Sequence, residues 1–259
     1  MNGDISNLGV ALAALLVVVA VAVSIWRRLG LTVPLIVASA RALGQLAVMG
    51  LVLAVLIAPE QPLVLSWAWV VVMIGFAGWT VHRRAPEVPG AGWLAVVAFA
   101  LASGVTLGVL FGFGVFPVEG RTIVPLAGLM IGNSMNATVL AARRIVEELR
   151  DKRLEIEARL ALGQPSDRAV QPHLRLAIRT ALIPQIETTR AVGIIFLPGA
   201  MVGLLLAGVE PLDAIRVQIA VMYLVLGSTT VSASTIAIGI ARRLFTPAHQ
   251  LRPLPPARP

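Results

Sequence analysis

Apolar residues fill this chain in long, nearly uninterrupted blocks, at about 8–26, 35–57, 63–81, 93–116, 122–142, 190–208 and 214–241. A helix needs roughly 20 mostly apolar residues to cross the hydrocarbon core of a bilayer. Backbone groups in lipid must be satisfied within the segment, and the two-residue alternation of a membrane barrel is absent, so the blocks read as helices. The pattern predicts an all-α, polytopic membrane protein with about seven transmembrane helices, built as one domain over 1–250. The end, "LRPLPPARP" at 251–259, has little to bury and reads as a disordered proline-rich tail.

Composition sharpens this picture. Hydrophobic residues make up 58% and charged residues 13%, whereas a soluble domain carries about a quarter charged residues. The formal charge of +8 is explained by its placement. Arg27 and Arg28 follow the first block, and Arg83 and Arg84 the third. A run from Arg143 to Arg179 follows the fifth, and Arg242 and Arg243 the seventh. The alternate loops, "APEQP", "PVEGR" and "GVEPLD", are poor in base. Cytoplasmic loops collect Lys and Arg, so the N-terminus is expected outside and the C-terminus inside. That topology accounts for the charge, and no nucleic-acid partner is needed. Asp4 precedes the first block and the arginines come after it, the layout of an N-out anchor and not of a cleaved leader. The lipid bilayer of the cell (plasma or inner) membrane is the expected surrounding.

Polar side chains interrupt three of the blocks. "MIGNSMNATVLAARRI" at 130–145 holds Asn133, Ser134, Asn136 and Thr138. The sixth block opens near Thr188 and Thr189. The seventh holds Gln218 and then "STTVSAST" from Ser228 and Thr229 onward. These groups either hydrogen-bond between helices or line a passage, and spacing alone leaves both open. Asn133 and Asn136, three apart, are expected on a shared face. In the sixth block Gly199, Gly203 and Ala207 stand four apart, where small residues let a second helix approach, and Pro198 is expected to kink the helix.

The segment 143–187 is too charged to cross. Ile145, Leu149, Ile156 and Leu160 recur at helical spacing, so the fifth block is expected to continue as a helix beyond the membrane. Glu148–Lys152 and Glu155–Arg159 are possible ion pairs one turn apart. "GQPSD" at 163–167 breaks the helix, Ser166 is a candidate cap for a short second one, and Pro172 and Pro184 punctuate the return.

Chemistry-bearing residues are sparse. The chain has no cysteine, three histidines that are not neighbours, and a single lysine, Lys152, outside any Gly-Lys-Ser/Thr context. No catalytic cluster, no metal site and no phosphate-binding loop is expected. The methionines of the polar blocks read as packing. Acidic residues sit in loops or near block ends, which argues against a proton-coupled carrier.

Four stretches together, "VPLAGLMIGNSMNATVLAARRI", "EARLALG", "RTALIPQIETTRAVGIIFLPGAMVG" and "LLAGVEPLDAIRVQIAVMYL", resemble the FetB-type permease family. Its members are membrane subunits of ABC exporters linked to iron in bacteria, with plant relatives linked to aluminium tolerance and nucleotide-sugar transport. Gly132 to Asn136 match its Gly-Asn-Ser-Met-Asn signature, and Leu197, Pro198 and Gly199 its Leu-Pro-Gly. Glu157, Ala158 and Gly163 match its segment for coupling to the ATPase. The family's Gly-Gln pair after that Leu-Pro-Gly is absent, because Leu204 follows Gly203. The resemblance implies a permease subunit of an ATP-driven exporter, for iron or another metal. The alternatives are a permease for a sugar nucleotide or other small solute, a secondary transporter, or a non-pumping scaffold. It also implies a permease homodimer and a separate ATPase chain that binds ATP and Mg. This chain itself is expected to hold no cofactor and to be no enzyme.

Overall fold

The computed structural model describes residues 9, 12–58 and 61–253. Its helices are α1 (Leu15–Trp26), α2 (Thr32–Leu56), α3 (Leu63–Arg84), α4 (Ala91–Gly112), α5 (Gly120–Asp151), α6 (Arg153–Ala161), α7 (Ser166–Ala191), α8 (Gly199–Leu206) and α9 (Pro211–Arg243). Among the described residues there is no sheet, only two isolated bridges. Five helices, α2, α3, α4, α5 and α9, are long and apolar enough to cross a membrane, and the described part of the first block forms the shorter α1. The rest of that block's start lies outside the described residues, as does 254–259 of the expected tail.

Pairs of touching residues fix the helix directions. Ser134 of α5 meets Ser228 of α9, and Thr138 meets Ser232. The numbers rise together, so α5 and α9 run parallel. Met73 lies against Gly128, and Arg84 bonds Asn136, so α3 also runs with α5. On α4, Thr106 lies against Gly227 and Leu94 against Gly239 of α9, so α4 runs the other way. α7 is likewise antiparallel to α5, because His173 faces Glu148 while Gln185 and Thr188 face Asn133. The arginine-rich termini of α3, α5 and α9 therefore gather at one end of the bundle, called here the basic end.

The core is the contact of α3, α4, α5, α7 and α9. Phe99, Ile123, Met130, Ile145, Leu149, Ile156, Ile236 and Ile240 are fully buried there. Many contributions to it are alanines, such as Ala95, Ala98, Ala127, Ala237 and Ala241. Small residues let backbones approach where lipid gives no hydrophobic drive to associate. The outer helices α1 and α2 present mostly exposed apolar side chains, the surface a bilayer would cover.

Several sequence expectations are corrected. The sixth block, 190–208, is not one crossing helix. α7 ends at Ala191, residues 192–198 are not helical, and α8 has only eight residues, a length of about 12 Å. Pro198 disfavours helix at the residue before it, and Gly193 sits at φ +88, where a helix cannot continue. Pro172 and Pro184, expected to punctuate a return, both lie inside the 26-residue α7. Ser166 does not begin a short helix, and it caps nothing with its side chain; Pro165 is the N-cap residue. Lys152 falls between α5 and α6, and Glu148 pairs instead with Arg144 at 2.6 Å. Leu251 and Arg252, assigned to the tail, fold back. Leu251 bridges Phe245, and Arg252 donates its backbone N–H to the Leu244 carbonyl at 2.8 Å.

Candidate functional site

Three polar regions follow from this fold. The first is a hydroxyl seam between α5 and α9. Ser134 Oγ lies 3.0 Å from Ser228 Oγ and 3.4 Å from Thr229 Oγ1. Thr138 donates to the Ser134 carbonyl at 2.8 Å and reaches Ser232 Oγ at 3.2 Å. Ser228 and Ser232 also donate to carbonyls one turn back. All five side chains are buried. Every hydroxyl here has a protein partner, and short side chains on parallel helices leave no room between them. The seam is therefore a packed interface, with each bond contributing about 0.6 kcal/mol.

The second region is a pocket of about 360 Å³ where the sixth block breaks. Asn133 of α5, Gln185, Thr188 and Thr189 of α7, Gln218 and Met222 of α9 supply its less apolar lining. Val192, Phe196 and Pro198 of the non-helical stretch form another wall, followed by Gly199 and Ala200 at the start of α8. Irregular backbone at membrane depth is tolerated where it is buried in protein or lines a wet cavity. Here it does line a cavity, with the carbonyl end of α7 and the amide end of α8 both at its edge. Thr188 and Thr189 donate back to the Pro184 and Gln185 carbonyls at 2.8 Å, and Asn133 Nδ2 to the Leu129 carbonyl at 2.7 Å. Gln218 is only 6% exposed, yet its Oε1 has no hydrogen-bond partner. Leaving a buried amide oxygen unsatisfied costs about 1–3 kcal/mol. No lining side chain of the pocket is ionisable.

Asn136, expected to share a face with Asn133, turns elsewhere. Its Oδ1 accepts from Arg84 Nη1 at 2.9 Å, while Asn133 faces the pocket. Arg143 adds to that corner by donating to the Arg84 carbonyl and pairing with Glu87 at 2.8 Å. Gly199 and Gly203 of the small-residue series have open space where a Cβ would stand. Among the described residues nothing packs closely on them.

The third region lies beyond the basic end. Glu157 pairs with Arg153 at 2.7 Å, and Ala158 is exposed. Gly163 ends α6: its N–H donates to the Leu160 carbonyl at 2.9 Å, and its φ is +84. Glycine tolerates that conformation without cost from a Cβ. Leu154 and Leu162 flank this segment at 83% exposure each, in a stretch too charged to meet lipid. Glu155 accepts from Arg159 at 2.8 Å, and chiefly that hydrogen bond holds its carboxyl below the usual carboxylate range. His173 of α7 lies 3.8 Å from both Glu148 of α5 and Glu155 of α6.

A feature with no signal in the sequence closes this region. Residues 244–252 form a strap, held by Thr246 N–H on the Gln250 carbonyl and His249 N–H on the Thr246 carbonyl, both at 2.9 Å. His249 Nδ1 then meets Ser166 Oγ at 2.9 Å and the Ser166 N–H at 3.3 Å. The contact joins residues 83 apart, beyond the reach of any local spacing. The strap and the segment Glu157–Pro165 together line a groove of about 720 Å³.

Residues 7–245 match the model of a family described as "Uncharacterised protein family (UPF0014)". The chain is 37% identical over 243 residues to "UPF0014 membrane protein STAR2" of Oryza sativa subsp. japonica, covering 92% of this chain and 84% of that protein. It is 31% identical to "Protein ALUMINUM SENSITIVE 3" of Arabidopsis thaliana, over 93% and 88% of the two chains. It is 30% identical to "Probable iron export permease protein FetB" of Escherichia coli (strain K12), over 96% and 95%. No solved structure matches the chain. With nearly its whole length matched, and with five helices able to cross a bilayer, the chain belongs to the UPF0014 family of membrane proteins.

Proposed function

We propose that this chain is the permease subunit of an ATP-driven exporter, and that its solute passes through the pocket at the break between α7 and α8. The observation that carries this reading is a cavity lined by neutral polar side chains and walled by the break between α7 and α8. Discontinuous helices mark binding sites in transport proteins because they bring free backbone groups to the middle of the membrane. The chain has no Gly-Lys-Ser/Thr loop, so ATP and Mg belong to a separate ATPase chain. Glu157, Ala158 and Gly163, with the exposed Leu154 and Leu162, form the surface offered to that chain at the cytoplasmic, basic end. Movement there reaches the pocket along α7, which runs from Ser166 beside the coupling segment to Thr188 and Thr189 at the pocket. Two copies of the chain complete the assembly, with the open Gly199 and Gly203 face available to a second copy.

Iron is the first candidate solute, because the E. coli relative is named an iron export permease. The pocket lining favours a second reading. It offers amides, hydroxyls and one thioether but no carboxylate, imidazole or thiolate, and a bare divalent ion among neutral donors is poorly compensated. A polar organic solute, such as a sugar nucleotide, uses such a lining better. Vesicles holding this chain and its candidate ATPase, given radiolabelled iron(II) or a radiolabelled sugar nucleotide, separate the two. Gly163→Ala and Glu157→Ala are expected to weaken ATPase assembly and solute-stimulated hydrolysis together. If both survive unchanged, the coupling assignment is wrong.

A further inference from the structure

A second cavity, of about 910 Å³, opens at the basic end and shares no lining residue with the solute pocket. Arg242 and Arg243 at the end of α9, and Arg252 of the strap, converge on it from two elements. Arg143, Arg144, Arg153 and Arg159 at the same end each hold a carboxylate. The three cavity arginines hold none among the described residues, and Asp167 is the single acidic side chain in the lining. Ser166 and His249 also line it, bonded to each other. The lining also includes the apolar Val170, Leu174, Ile238 and Phe245. The cavity lies where α9 leaves its apolar stretch.

We infer that this cavity is a binding site for a phosphate-bearing ligand. Guanidinium forks match phosphate oxygens in pairs, and charge-assisted bonds of this kind are the strong ones. Basic pockets between helices at the membrane boundary take anionic headgroups, and a soluble phosphate presents the same oxygens. Asp167 repels either anion, against three arginines that attract it.

The test uses the full chain in nanodiscs. One arm compares phosphatidylcholine discs with discs that also contain phosphatidylglycerol. The other titrates inorganic pyrophosphate into phosphatidylcholine discs. The readouts are the thermal unfolding midpoint and the probe's dissociation constant. At least one arm is expected to raise the midpoint: the first identifies a lipid headgroup, the second a soluble phosphate. R242Q/R252Q should weaken binding by about tenfold or more while leaving Arg243 against Gly90. R27Q/R28Q, with the same loss of charge but outside the cavity lining, should bind as wild type. If the double variant does not fold, R252Q on the exposed strap is judged by the same criterion. No rise in either arm, or equal weakening in the cavity variant and R27Q/R28Q, overturns the assignment.

Discussion

Ser134 and Gln218 are both buried polar side chains on helices of the same bundle, and their surroundings give them different tasks. Ser134 has Ser228 and Thr229 as partners, so Ser134→Ala removes two modest contacts. It is expected to lower stability by about 1 kcal/mol and to leave transport near wild type. Gln218 has an oxygen without a partner. Gln218→Leu removes a desolvated acceptor and is expected to keep or raise stability while transport falls at least about tenfold. Unfolding midpoints and vesicle flux, measured on both variants, check this. The two residues were alike in the sequence, each a polar interruption of an apolar run. What separates them is whether the facing helix supplies a partner, and partners 94 residues apart are invisible to local spacing. Asn133 and Asn136 make the same point, because three residues of helix turn their amides far enough apart to serve different neighbours.

Among the elements, α3, α4, α5 and α9 were legible because each is an apolar run of crossing length. The extension of α5 beyond the basic end was legible from Ile145 and Leu149, which are indeed fully buried. The break at 192–198 was not, since apolar composition there says nothing of backbone angle. Pro198 was visible, but a proline is as compatible with a kink as with a break. The account makes the break necessary for the pocket. Gly193→Ala places a Cβ at φ +88, at a cost of about 1–2 kcal/mol, and combined with Pro198→Ala it favours a continuous helix. Loss of transport with the ATPase still bound is the expected result, read by vesicle flux and co-purification. α6 yields a pH dependence. The folded Glu155 has its pKa lowered from 4.5, mainly by the Arg159 hydrogen bond. Its contribution is therefore present above the unfolded value and lost as pH falls through the folded one. A spin label on Leu162→Cys is expected to gain mobility as pH drops below about 4.5, and Arg159→Gln should remove much of that pH response. Glu155 is exposed, so the effect is local to α6.

At the scale of the molecule, helix direction joins these parts. α5 and α9 run parallel, α7 antiparallel to both, and α7 spans from the strap at the basic end to the pocket at its far end. His249 on Ser166 fixes the start of that lever. His249→Ala is expected to raise protease cleavage at 163–166 without altering the pocket, which limited proteolysis reads. The central claim is that water and solute enter the break between α7 and α8 and not the seam between α5 and α9. The chain has no cysteine, so single cysteines report cleanly. A charged methanethiosulfonate reagent should modify Asn133→Cys and Thr188→Cys in the pocket, and spare Ser134→Cys in the seam and Val105→Cys on the apolar surface of α4. Modification of Ser134→Cys with Asn133→Cys and Thr188→Cys left unreacted would contradict the account.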